Sequence, residues 1–87
     1  MKRKPEADIA RILVAEGDAY HRRMIRLLLT SPRMAVTQVE DGEAALSLIA
    51  MRPFDLLILD AALPRMSGPE TLAWIGTAIG ASARPII

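Results

Sequence analysis

Residues 54–68 read FDLLILDAALPRMSG, from Phe54 to Gly68, and this stretch decides the fold. Its first half is an unbroken apolar run, Leu56-Leu57-Ile58-Leu59, closed by Asp60. So short a run, with no polar alternation, suits a strand covered on both faces, as in a parallel sheet. Its second half carries Pro64 and Gly68, the punctuation of a loop. Pro69 suits the first turn of a helix with Leu72, Ile75 and Ile79 along one side and Gly80 as its stop.

Upstream, residues 9–15 (IARILVA) are short and rich in branched side chains, which favours a strand, and a polar turn follows at Glu16-Gly17-Asp18. Asp18 is placed to cap a helix running through Ser31, ended by Pro32. Met24, Ile25, Leu28 and Leu29 form its apolar stripe, and Arg22, Arg23 and Arg26 take much of the outward side. Residues 35–39 read as a second strand. Asp41 can cap a second helix whose core face is Ala45, Leu48 and Ile49, and Pro53 stops it. Pro85-Ile86-Ile87 opens a fourth strand. The order β-α-β-α-β-α-β implies parallel strands joined by right-handed crossovers, with helices on both faces of one sheet.

Composition narrows the function classes. At 87 residues, 52% hydrophobic and 24% charged, the chain holds one small domain, read as residues 9–87 behind a tail or linker at residues 1–8. A net charge of +1 with no basic stripe argues against nucleic acid as a partner. The apolar runs fall far short of the roughly 20 residues that span a bilayer, so no membrane role is expected. The absence of cysteine removes thiolate chemistry and agrees with a cytoplasmic location. His21 reads as a surface residue rather than a phosphoryl donor, Trp74 as a packing or partner-contact residue, and the dispersed methionines as core filling.

In a parallel α/β sheet, ligands bind beyond the carboxyl ends of the strands, where strand order reverses. The first strand ends at Glu16 and the third at Asp60. If those strands are neighbours, two carboxylates meet on one rim, an oxygen donor set that suits Mg²⁺. A carboxylate beside Mg²⁺ can attack phosphorus and become an acyl phosphate.

The segments ILVAEGD, VEDGEAAL, FDLLILDAALPRMSG and RPII, in that order and spacing, resemble the receiver domain of two-component response regulators. That resemblance implies a flavodoxin-like three-layer α/β/α fold, here incomplete, and a module that takes a phosphoryl group from a histidine kinase or histidine phosphotransfer protein. It implies that Asp60 is the phosphoacceptor. Glu16, Asp60 and the backbone carbonyl of Ala62 would be Mg²⁺ ligands, with Pro64, Met66 and Gly68 shaping the loop. The family's second acidic position falls on Gly17, so Mg²⁺ is expected to be held weakly. Asp18 is the substitute ligand on offer, although it is also the helix cap. Ser67 stands where the family has aspartate. The family's later Thr or Ser and Lys would lie past Ile87, so the expectation is either self-association through an edge left exposed by truncation, which light scattering would reveal, or that these residues are a piece of a longer polypeptide.

Two other readings stand beside phosphoryl acceptance. A degenerate pseudo-receiver would keep the fold as a phosphorylation-independent interaction module, as Gly17 suggests. A phosphatase of the haloacid dehalogenase type also uses an aspartate after an apolar strand, but it needs a second aspartate at position 62, which is Ala62. No enzyme activity is expected beyond self-dephosphorylation.

Overall fold

The computed structural model describes residues 9–74 and the backbone of 75–78 and 84–86; the expected tail at residues 1–8, the Ile75 side chain, Ile79, Gly80 and Ile87 lie outside what is described. The elements are β1 (Ala10–Ala15), α1 (Ala19–Leu28), β2 (Met34–Val39), α2 (Gly42–Met51), β3 (Leu56–Leu59), α3 (Gly68–Ala78) and β4 (Arg84–Ile86). They follow the expected alternation. The strands form one sheet in the order β2-β1-β3-β4, and every pairing is parallel. This is the order of flavodoxin-like sheets.

The chain steps from β1 to β2 in one direction, then back across β1 to β3 and on to β4. With right-handed crossovers, α1 lies on one face, and α2 and α3 share the other. The core is on the α2 side, where Leu13 and Ala15 of β1 and Leu57 and Leu59 of β3 meet Ala45 and Ile49 of α2, closed by Phe54 and Leu63. Leu48 and Leu72 pack against this cluster from its margin. Ile12 and Val14, on the opposite face of β1, are also buried. β3, the strand expected to be covered on both faces, buries Leu57 and Leu59 on one face, while Leu56 and Ile58 on the other are half-buried.

Both predicted caps are present. Asp18 Oδ1 accepts from the His21 N–H at 3.0 Å, and Asp41 Oδ1 from the Ala44 N–H at 2.8 Å. The expectation for α1 is corrected in two respects. The helix stops at Leu28, before Ser31, and none of its residues is buried. Ile25 and Leu29 are half-buried, but Met24 is exposed and Leu28 is 79% exposed. The stripe is longer than the surface that receives it, because α1 is the one described helix on its face. Arg22 is the second correction: it turns inward, its side chain only 19% exposed.

Candidate functional site

Strand order reverses at β1, whose neighbours are β2 and β3, and in such sheets ligands bind beyond the carboxyl ends of the strands at that point, here those of β1 and β3. The register pairs Ala15 with Leu59, and the next residues are Glu16 and Asp60. Each is anchored through its backbone. The Asp60 N–H donates to the Ala15 carbonyl at 2.9 Å, and the Glu16 N–H to the Val39 carbonyl at 3.1 Å. The two acids foreseen at one rim therefore extend adjacent strands.

Glu16 is 8% exposed, and its Oε1 accepts from the Asp18 N–H at 3.1 Å. His21 Nδ1 stands 3.8 Å from the same oxygen. Asp60 is half-buried, and its Oδ1 accepts from the Ala62 N–H at 3.1 Å. One oxygen of each carboxylate is thus engaged. Glu16 Oε2, Asp60 Oδ2 and the Ala62 carbonyl accept no hydrogen bond among the described residues. Among the described residues no unpartnered side-chain oxygen is buried, so Oε2 and Oδ2 reach solvent. The carboxylates of Glu16 and Asp60 with the Ala62 carbonyl are a donor set that fits Mg²⁺, which binds through one or two carboxylates while keeping waters and phosphate oxygens. The set is sparse: no group of three or more acidic, His or Cys side chains suited to a metal occurs among the described residues. The Asp18 carboxylate is committed to its cap, and the His21 N–H holds its carboxyl below the usual carboxylate range.

Gly17 and the loop after β3 account for much of the shape. A Cβ on Gly17 would lie 2.8 Å from Pro64 Cδ and 3.4 Å from Pro64 Cγ, so the proline ring fills the place that a side chain at position 17 would take. Gly68 lets its backbone approach the Asp60 carbonyl, and Gly42 lies against the Met66 carbonyl and the Thr71 hydroxyl. The loop is pinned at Arg65, whose φ of 68° is unusual for a residue with a side chain. Its guanidinium reaches Asp41 Oδ2 at 3.7 Å and Glu43 Oε2 at 3.6 Å.

Sequence reasoning missed three supports. Thr71 is fully buried and donates to the Ser67 carbonyl at 2.8 Å. Arg65 ties the loop to α2. Arg22 Nη1 donates to the carbonyls of Glu16 and Gly17 at 2.9 and 3.2 Å. A lone threonine or arginine on an amphipathic helix gives no local sign of such partners. Ser67 Oγ accepts from the Glu70 N–H at 3.2 Å, so it serves the start of α3 as a turn residue should.

The family described as the response regulator receiver domain matches residues 12–87 of this chain. Response regulator ArlR of Staphylococcus epidermidis is 39% identical over 59 residues, which are 68% of this chain and 27% of that protein. Response regulator receiver protein CpdR of Brucella abortus is 37% identical over 60 residues, 69% of this chain and 50% of that protein. A solved signal receiver domain from Vibrio parahaemolyticus superposes with a TM-score of 0.83 at 28% identity, covering 91% of this chain and 60% of that one. The chain spans less than two thirds of the length of each of these relatives.

Proposed function

Because the chain belongs to the family of response regulator receiver domains, we propose that it accepts a phosphoryl group on Asp60 from the phosphohistidine of a histidine kinase or phosphotransfer protein. One observation carries this reading: Asp60 keeps a solvent-facing Oδ2 at the carboxyl end of β3, next to β1, while its Oδ1 is held by the Ala62 N–H. The held oxygen fixes the carboxylate plane, and the free one is the nucleophile. A new P–O bond forms to Oδ2 as the P–N bond to the donor imidazole breaks, and that imidazole leaves with the electron pair. The product is an acyl phosphate on Asp60 and a neutral histidine after protonation.

Glu16, Asp60 and the Ala62 carbonyl are the residues that would hold Mg²⁺. When bound, the cation neutralises charge on the phosphoryl oxygens. The chain's own contribution is orientation: the Asp18 N–H holds Glu16 and the Ala62 N–H holds Asp60, both from the backbone. Water hydrolysing the acyl phosphate is the one turnover proposed, and a cytoplasmic setting goes with these donors. No helix of the described residues is long and apolar enough to cross a membrane.

The Pro64 ring over Gly17 favours a second reading, a pseudo-receiver that binds partners without phosphorylation. Incubation with labelled acetyl phosphate and Mg²⁺ separates the two. Phosphoryl acceptance predicts slow, Mg²⁺-dependent label on the wild type and none on Asp60→Asn. Label that survives Asp60→Asn, or a wild type unlabelled at saturating Mg²⁺, refutes acceptance at Asp60, and the latter outcome leaves the pseudo-receiver.

A further inference from the structure

Arg22 makes more contacts at the β1–α1 turn than any capping role requires. Nη1 is shared between the Glu16 carbonyl at 2.9 Å and the Gly17 carbonyl at 3.2 Å. Nη2 reaches Glu40 Oε1 at 3.4 Å, beyond the end of β2. The Arg22 carbonyl in turn accepts from Gln38 Nε2 at 2.6 Å, so β2 fixes the helix at the residue whose side chain reaches back. The guanidinium is mostly sheltered, with a side-chain exposure of 19%. Hydrogen bonds from a charged donor to carbonyls in such a setting are among the stronger ones. The Glu40 contact is to a side chain 76% exposed and adds little.

The turn needs such a tether. Gly17 has no side chain to restrict it, and glycine has the largest backbone freedom to lose. Yet Glu16, next to it, must present one carboxylate oxygen to the rim while the other takes the Asp18 N–H. We infer that Arg22 is a positioning residue for the phosphoacceptor site: by drawing the Glu16 and Gly17 carbonyls onto one guanidinium, it holds the turn in the conformation that aims Glu16 beside Asp60. This inference rests on the reading of Asp60 as acceptor for its functional consequence, but its structural content is independent. Lysine cannot replace arginine here, because a single ammonium lacks the fork that serves Glu16, Gly17 and Glu40 together.

Amide hydrogen exchange on the full chain tests the inference directly, with Arg22→Ala and Arg22→Lys beside Arg23→Ala. Arg23 is an exposed neighbour, so its variant controls for loss of charge. In both Arg22 variants the Asp18 amide is expected to exchange about tenfold faster or more, while Leu13 and Val14 keep wild-type protection. In the labelling assay, the Mg²⁺ concentration for half-maximal modification of Asp60 rises by about tenfold, the usual effect of losing a residue that orients a ligand. Unchanged exchange at Asp18 overturns the inference. So does acceleration spread evenly through β1, which marks Arg22 as a general stabiliser only, and so does an equal effect in Arg23→Ala. A wild type that takes no label refutes the reading of Asp60, and the exchange result still decides the case of Arg22.

Discussion

We propose that position 17 is the family's second acidic position, and for an aspartate there the structure sets two effects against each other. Gly17 is not in the left-handed region, so in open space Gly17→Ala should stabilise the fold by about 0.4–1 kcal/mol through the unfolded chain. The space is not open. The new Cβ meets Pro64 Cδ at 2.8 Å, closer than carbon atoms pack. The ring cannot simply swing away, because Leu63 before it is buried and the Pro64 carbonyl accepts from the Met66 N–H at 2.7 Å. Overpacking costs about 1–3 kcal/mol, so steric loss exceeds the entropic gain and the net expectation is a loss of about 1 kcal/mol. For a domain this size that lowers Tm by about 4–8 °C.

Gly17→Asp carries the same steric cost and adds a charge beside Glu16 and Asp60, so without metal it should be the least stable variant. Mg²⁺ then separates the two. With a Kd of about 1 mM, 10 mM Mg²⁺ returns about 1.4 kcal/mol to Gly17→Asp and little to Gly17→Ala. Adding Pro64→Ala to Gly17→Asp should relieve the clash and leave the metal response. Thermal unfolding by circular dichroism across a Mg²⁺ series measures all of this. A Gly17→Ala protein as stable as the wild type refutes the packing argument. A Gly17→Asp/Pro64→Ala protein indifferent to Mg²⁺ refutes the assignment of position 17 to the acidic pair.

Gly42→Ala should be far more damaging, by about 3 kcal/mol or more, since its Cβ would run into the Met66 carbonyl and a Thr71 hydroxyl already bonded to Ser67. Urea denaturation within about 0.5 kcal/mol of wild type would contradict that. Asp18 makes stability depend on pH at the acid end. Its folded pKa is lowered, chiefly by the His21 N–H, so its contribution is present above the unfolded value and disappears as pH falls through the folded one. Asp18→Asn keeps a capping oxygen but cannot titrate, so the wild type's advantage over it in urea should shrink on acidification; a difference independent of pH contradicts this.

The element order was legible in the residues because each element is announced locally. Leu56–Leu59 is too short and too apolar for an amphipathic helix, and Asp18 and Asp41 stand where orphan helix N–H groups need an acceptor. Asp60 and Glu16 were legible as strand ends for the same reason. That they belong to one site was not local information: it depends on β1 lying between β2 and β3, and on Ala15 pairing with Leu59. Helical periodicity placed Met24, Ile25, Leu28 and Leu29 on one face, but burial needs a partner surface, and Leu28 has none among the described residues. The same periodicity sent Arg22 outward, because a helical wheel does not record a pair of carbonyls waiting at the end of the preceding strand. Gly17 looked in the sequence like the mere loss of a ligand. Only the folded loop, by laying Pro64 into the vacant place, turns that loss into a packing contact, because residues 47 positions apart meet through tertiary structure alone.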